Sequence, residues 1–525
     1  MSALPAASVS GSRAWSPGAF WPRIGACWPF LPLALFFFQL DAHDLVRSHE
    51  ARAAQNAQRM LDTGEWGLPT LLDGQRDLQK PPAFYWLMAL AGALNGGEVT
   101  PWVARLPAAL SAVCCAALVY GFLRREGYGT GAVVAAVTLA TANHFVAIGR
   151  TARIDVPLTC AVTVSLLAFY RGTQVRGADS LAGRESDCNG FPKAARNPGW
   201  FLLSAVAAGF AVLLKGPVGL ALIGTTAVTF LMVEWFVCPH GERPRLPLRF
   251  AVLGVCAVAA VAVPWFVWAE HATDGEFARV FFWYHNVARF TGESEALASH
   301  PWWYYGPRFA LAFAPGTFLL LPLGVWSVCS RLWNKDCTFR FGVVWLVVMV
   351  AVLSAARFKR ADYLLPAFPG AALVVGCAAE RWLAPRTGGR VARLARGAFV
   401  LLTAAGVGAW PVMWFVVEPA EAARQEKRPF AAAVRSVAPK PEEVLLFRTE
   451  SHLLAFHLGA PLHTLVEWGE LKEALATGPR VVVMPPEWVP DAERITGRKL
   501  VVVASLADLT SARPPRPLVC LRTAE

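Results

Sequence analysis

The sequence predicts a polytopic α-helical membrane protein followed by a small α/β domain. Three observations carry that reading. First, of 525 residues 55% are hydrophobic and only 16% charged, with a mean hydropathy of +0.42. A soluble domain carries about 25% charged residues. Second, apolar runs recur at 26–41, 102–122, 131–148, 156–170, 199–214, 217–237, 250–268, 308–328, 341–356, 362–380 and 397–417. Most approach the ~20 residues that an apolar helix needs to cross a bilayer, so eleven to thirteen spans are expected. Third, the composition changes after about residue 418. Short β-branched runs at Val444–Phe447, Leu462–Val466, Val481–Met484 and Val501–Val503 alternate with helical patterns at Ser451–His457 and Trp468–Ala476, the rhythm of an α/β domain. The expected division is a membrane domain over 1–417 and a C-terminal domain over 418–525.

The first run reads as a retained span. No small-x-small cleavage pattern follows it, and the charged Asp41-Ala-His-Asp44 comes next. The run at 83–96 is too short to cross and reads as an interfacial helix with its aromatics at headgroup level. Lys and Arg collect in alternate loops: 124–125, 171–196, 243–249, 331–340 and 381–396. By the positive-inside rule these loops and the N-terminus are cytoplasmic, and 42–101, 149–155, Lys215, 269–307, 357–362 and the C-terminal domain lie outside. The net charge of +12 thus serves topology. No basic block with interleaved aromatics occurs, so nucleic acid is not an expected partner. Of eleven cysteines, most lie in or beside apolar runs as small hydrophobes, and no C-x-x-C pair suggests a redox or zinc site.

Chemistry is expected on the outer face. His49, Glu50, Arg52, Lys80, Arg150, Arg153, Asp155, Lys215, His285, Arg289, His300, Arg357, Lys359, Arg360 and Asp362 come from six segments there. So many cations against the positive-inside preference point to an anionic ligand, with phosphate the best fit. Plainer readings exist: Arg52 facing water, Lys80 snorkelling, Asp155 capping a helix, and Trp302-Trp303-Tyr304-Tyr305 forming an aromatic belt. Lys215 in L-L-K-G-P is harder to explain that way, because an unpaired lysine between apolar runs is costly.

Ordered motifs extend this reading. The first outer loop holds His49-Glu50-x-Arg52, then Met60-Leu61-x-x-Gly64-x-Trp66-x-x-Pro69, then Lys80-Pro81-Pro82-x-x-Tyr85-Trp86, and Ala104-Arg105-Leu106-Pro107 follows in the next run. Asp155 precedes a span, Lys215-Gly216 lies at a junction, and Pro264-Trp265 follows a long run. Phe282-Trp283 with Arg289-Phe290, His300-Pro301-Trp302-Trp303-Tyr304-Tyr305, and Ser354, Arg357, Lys359, Tyr363 and Pro366 complete the series.

This series resembles the membrane-embedded glycosyltransferases of the type-C fold, in the group of the lipid A aminoarabinose transferase and the protein O-mannosyltransferases. The resemblance implies an inverting transfer from a polyprenyl-phosphate sugar to a lipid, glycan or protein acceptor at the outer face of the cell inner membrane. It implies phosphate contacts by Lys80, Arg52, Lys215 and Lys359. It gives the catalytic base to Glu50 or His49, and further substrate contacts to Tyr85, Asp155, His285, Arg289 and Tyr363. One departure stands out: His49 occupies the place of the family's leading aspartate. An imidazole serves as a base near its ordinary pKa of ~6.5. An acceptor already anionic, or a repurposed protein, would need less of one. No cofactor is expected and no D-x-D pair points to a metal. A lipid-linked anion flippase and a non-catalytic lipid-binding paralogue are the alternative readings.

Overall fold

The computed structural model describes residues 28–42, 44–45, 48–173, 198–238, 246–291, 300–383, 390–420, 427–449, 451–477, 480–507 and 517–523. The expected cytoplasmic cations Arg13, Arg23, Arg176, Arg184, Lys193, Arg196, Arg243, Arg245 and Arg386 lie outside the described residues, as does the side chain of Arg289.

Among the described residues, eight helices are long and apolar enough to cross a membrane. They are Pro101–Arg125, Asp155–Thr173, Pro198–Lys215, Pro217–Val237, Leu248–Ala272, Cys337–Ala355, Ala361–Leu383 and Val400–Ala420. Two bent pairs bring the number to ten: Thr130–Thr141 with Asn143–Gly149 at 61°, and Trp302–Ala312 with Gly316–Cys329 at 109°. Every predicted run after the first therefore meets a helix or a bent pair. The first begins outside the described residues and shows a helix over Phe30–Phe37. Asp155–Thr173 and Ala361–Leu383 are the most enclosed spans, while Leu248–Ala272 lies at the periphery with its apolar side chains turned outward. Apolar exposure of that kind suits a helix solvated by lipid. Between helices the backbones approach closely: a Cβ at Gly131 would stand 2.3 Å from the Gly376 carbonyl oxygen. Small residues at such crossings favour helix association in membranes, where burying apolar surface adds little.

At the end of the bundle that carries the basic loops, charges are paired. Arg340 grips Glu234 with two bonds, at 2.5 and 2.7 Å. Asp336 caps Phe339 N–H at 3.0 Å and accepts from Tyr128 Oη at 2.7 Å and Arg381 Nε at 3.2 Å. Arg171 meets Glu126 at 2.9 Å.

Toward the other end, the helix Ser48–Thr63 and the short helix Ala83–Leu94 pack against each other and against Pro101–Arg125. The short helix is present as expected, but its aromatics face inward. Phe84 and Tyr85 are buried, and Trp86 Nε1 donates to the Trp66 carbonyl at 2.7 Å. Of the W-W-Y-Y cluster, Trp302 and Trp303 are exposed as a belt requires, whereas Tyr305 is buried.

The C-terminal segment forms a five-stranded sheet: β1 (Val444–Phe447), β2 (His463–Leu465), β3 (Val481–Met484), β4 (Leu500–Leu506) and β5 (Leu518–Thr523). The order is β2-β1-β3-β5-β4, with β1, β2 and β3 parallel and β5 antiparallel to both neighbours. Helices His452–Leu458 and Trp468–Ala476 make the crossovers. Strand β5 lies outside the predicted β-branched runs. It is built from L-V-C-L-R-T just after a proline-rich stretch that reads as a loop. The sheet domain rests on the helix Ser48–Thr63: His457 Nε2 lies 2.8 Å from Asp44 Oδ2, and Gln55 donates to the His452 carbonyl.

Candidate functional site

The first loop supplies one wall of the site. Helix Ser48–Thr63 is amphipathic and buries Glu50, Ala51, Ala53, Ala54 and Ala57. Its His49 and Arg52 stand on the edge that opens into a chamber. Arg52 is held by Asp77, through Nε at 2.8 Å and Nη2 at 3.0 Å, and Asn56 adds a third bond to that carboxylate at 2.9 Å. Two parallel N–H···O bonds fix the guanidinium plane as well as its position. Lys80 follows from the turn before Pro81-Pro82, and Tyr85 from the first turn of the next helix. The loop is tied down from across the bundle, since Trp265 Nε1 donates to the Gly67 carbonyl at 2.9 Å.

The opposite wall comes from three span ends. Lys215 closes the helix Pro198–Lys215, and Gly216 turns the chain with φ +83°. Only glycine adopts that conformation freely, and an added Cβ would strike Phe281 at 2.4 Å. The Lys215 ammonium meets Asp155 Oδ1 at 2.5 Å and sits 4.2 Å over the Tyr363 ring. Asp155 also meets Arg153 Nε at 3.4 Å. Arg153 Nη2 reaches Asp362 at 2.7 Å, and that carboxylate further takes Arg360 at 3.2 Å and His144 Nε2 at 2.9 Å. One chain of charges thus links four segments.

Two cavities meet here. A polar chamber of about 310 Å³ is lined by His49, Arg52, Lys80, Arg153, Lys215 and Arg360, with Asp77 and Asp155. An apolar groove of about 420 Å³ runs between Leu158, Val218, Leu222, Phe282, Val352 and Leu353, with His285 on its wall. Lys80, Lys215, Phe358 and Tyr363 line both. Among the described residues five cations therefore face two carboxylates in the chamber, or three when Asp362 behind it is counted. The positive excess reaches His49. Loss of surrounding water, and then the charges of Arg153, Arg360, Arg52 and Lys80, hold its imidazole down at about 4. It is neutral at neutral pH.

The structure thus brings His49, Arg52, Lys80, Tyr85, Asp155, Lys215 and Tyr363 into one chamber, with His285 alongside. Two candidates stand elsewhere. Glu50 is 1% exposed and faces away from the chamber, accepting from Ala152 N–H at 2.8 Å with Arg105 Nε 3.5 Å off. Arg105, of the A-R-L-P motif, also donates to the Leu40 and Asp44 carbonyls at 2.8 and 2.6 Å. Lys359 donates to the carbonyls of His300, at 3.0 Å, and Ala356; burial lowers its pKa. Its neighbour Arg360 faces the chamber instead. Sequence reasoning placed Arg153, Arg360 and Asp362 on the same face as the chamber residues without assigning them to the site. It passed over Asp77 and His144. Asp77 carried a signal, a lone carboxylate three residues before the K-P-P element; His144, between two bent helices, carried none.

Comparison with known proteins agrees with this architecture. The model of the family described as dolichyl-phosphate-mannose-protein mannosyltransferase matches residues 33–273. An undecaprenyl phosphate-alpha-4-amino-4-deoxy-L-arabinose arabinosyl transferase of Pseudomonas aeruginosa PAO1 is 30% identical over 372 residues, 70% of this chain and 61% of that protein. A Pseudomonas fluorescens Pf0-1 transferase of the same description is 29% identical over 367 residues, 69% of this chain and 59% of its own. The chain's match thus spans about six-tenths of these relatives. Among solved structures, ArnT from Cupriavidus metallidurans bound to undecaprenyl phosphate superposes with a TM-score of 0.67 at 20% identity, covering 97% of this chain and 98% of that one. The archaeal oligosaccharyltransferase AglB from Archaeoglobus fulgidus gives 0.52 at 12% identity, covering 90% and 70%. This multi-pass membrane protein has the type-C glycosyltransferase fold and is similar to the aminoarabinose transferases and the protein O-mannosyltransferases.

Proposed function

We propose that the protein is an inverting glycosyltransferase that moves a sugar from a polyprenyl-phosphate donor to a lipid, glycan or protein acceptor at the outer face of the cell inner membrane. The observation that carries this reading is the shared boundary of the two cavities. A polyprenyl phosphate is an apolar chain ending in an anion, and the groove and chamber meet at two ammonium groups, Lys80 and Lys215. The chain occupies the groove, the phosphate sits between the lysines, and the sugar enters the chamber. Arg52 and Arg360 add positive charge, with Arg360 in the role the family resemblance gives to Lys359. The names of the relatives favour an amino-pentose on undecaprenyl phosphate as donor. The positive-inside pattern favours a cytoplasmic N-terminus and an outer C-terminal domain.

In the reaction the acceptor oxygen bonds to the anomeric carbon opposite the phosphate. The carbon–oxygen bond to phosphate breaks, and its electron pair passes to the phosphate. Cations fixed around that oxygen stabilise the developing charge, an effect commonly worth ~3–4 kcal/mol per donor group. Arg52 gains from its Asp77 clamp, and Lys215 from Asp155, because both are positioned before substrate arrives. Glu50 serves the loop by holding Ala152 and Arg105. His49 lines the chamber and would take an acceptor proton, and at about 4 it is a weak base. The cations that weaken it suit an acceptor oxygen that is already ionised. These fixed cations supply the positive charge the phosphate needs, so no metal is invoked.

The test is mass spectrometry of membrane lipids, glycans and glycoproteins from cells with and without the gene. Accumulation of a polyprenyl-phosphate sugar on deletion, with loss of one glycosylated product, is the expected result. Unchanged profiles in all three fractions would overturn the reading.

A further inference from the structure

At the opposite end of the bundle a third cavity has no part in the chemistry above. It is a crevice of about 290 Å³ among the helices Pro101–Arg125, Asp155–Thr173 and Pro198–Lys215. Its walls are apolar: Leu118, Val164, Leu167, Ala168 and Leu203 among them. Its basic end carries Arg125 and Arg171, with Trp200 beside them. Arg171 is built in. Its side chain is 10% exposed, meets Glu126 at 2.9 Å and stacks 5.5 Å over the Phe122 ring. Arg125 is exposed.

Gly121 gives an independent indication. It lines the crevice, and a Cβ built there meets nothing within 4 Å. Among the described residues no contact requires a glycine at that position, and a larger side chain there would enter the crevice. In a bilayer an open apolar crevice is filled by an acyl chain. A phosphate at its mouth would find two guanidiniums, one held by Glu126 and one exposed. Basic pockets between spans at the cytoplasmic level bind anionic headgroups in this way.

We propose that this crevice binds one anionic phospholipid, its acyl chain between the three helices and its phosphate on Arg125 and Arg171. Two of the helices that wall it end, on the far side of the membrane, at Asp155 and Lys215, so the bound lipid lies along the pair of helices that frames the donor site. Binding does not depend on the transferase reading, and its test uses no turnover.

The experiment is native mass spectrometry of the full-length protein released from nanodiscs of phosphatidylethanolamine alone or mixed with phosphatidylglycerol. The wild type should retain one phosphatidylglycerol in preference to phosphatidylethanolamine. Arg125→Gln, at an exposed position, should lower retention about fivefold. Gly121→Leu should abolish it by filling the crevice, and phosphatidylglycerol should then no longer raise the melting temperature of that variant. Equal retention of the two lipids by the wild type, or equal retention by wild type and Gly121→Leu, would overturn the proposal.

Discussion

The two ends of the bundle spend their charges differently. At the basic end, Glu234 closes on Arg340, and Asp336 on Tyr128 and Arg381, and the pairs sit against one another with their bonding capacity used inside the protein. At the other end, Arg52, Lys80, Arg153, Lys215 and Arg360 surround open volume, and among the described residues the carboxylates beside them are fewer than the cations. The first arrangement fixes helices. The second stores positive potential in a cavity that opens to an apolar groove. Pairing alone does not mark a site; a surplus of one sign facing empty space does.

That contrast can be broken from either side. The largest effect is expected at the closed end. Glu234→Ala leaves Arg340 buried without its carboxylate and should cost ~3–5 kcal/mol of stability. Turnover per folded molecule should stay near wild type, as thermal melting and an activity assay on the same sample would show. At the open end the order reverses. Lys80→Ala should leave melting within about 1 kcal/mol of wild type, while transfer falls ~10²–10³-fold. If either variant behaved like the other, the two ends would not differ in kind.

Asp77→Asn comes next. It keeps the shape of the clamp but removes the charge that holds Arg52, and should reduce kcat/KM by roughly tenfold, about 1.4 kcal/mol. Recovery by Asp77→Glu would separate clamping from simple loss of packing.

The smallest effect concerns pH. The folded pKa of His49, about 4, lies below its ordinary 6.5. Its contribution to stability is therefore fully present above 6.5 and lost as pH falls toward 4. The acid limb of kcat/KM due to His49 should lie near 4. A bound anionic donor neutralises neighbouring cations, so the limb of kcat should lie higher. A pH–rate profile that breaks at 6.5 in both parameters would show that the cations do not act on His49.

Much of the fold was legible because helix-length apolar runs and β-branched runs are local signals. Strand β5 was missed where prolines masked it, and the inward turn of Phe84 and Tyr85 depends on packing that no local pattern carries. In the structure the K-P-P and K-G elements put Lys80 and Lys215 at the cavity boundary, and the P-W element puts Trp265 on the first loop. Glu50 and Lys359 stand outside the chamber for one reason. Adjacent residues on a helix or turn point in different directions, so His49 and Arg360 face the chamber while their neighbours bind backbone. The Arg153–Asp362–His144 connection joins residues far apart in sequence and becomes visible only when the span ends converge.

The central claim is that the lysines shared by the groove and the chamber hold a lipid phosphate. Binding of undecaprenyl phosphate to the purified protein, by native mass spectrometry, tests it most directly. The double variant Lys80→Ala/Lys215→Ala should bind at least about tenfold more weakly than the wild type while retaining its fold. Equal binding by the two proteins would contradict the account.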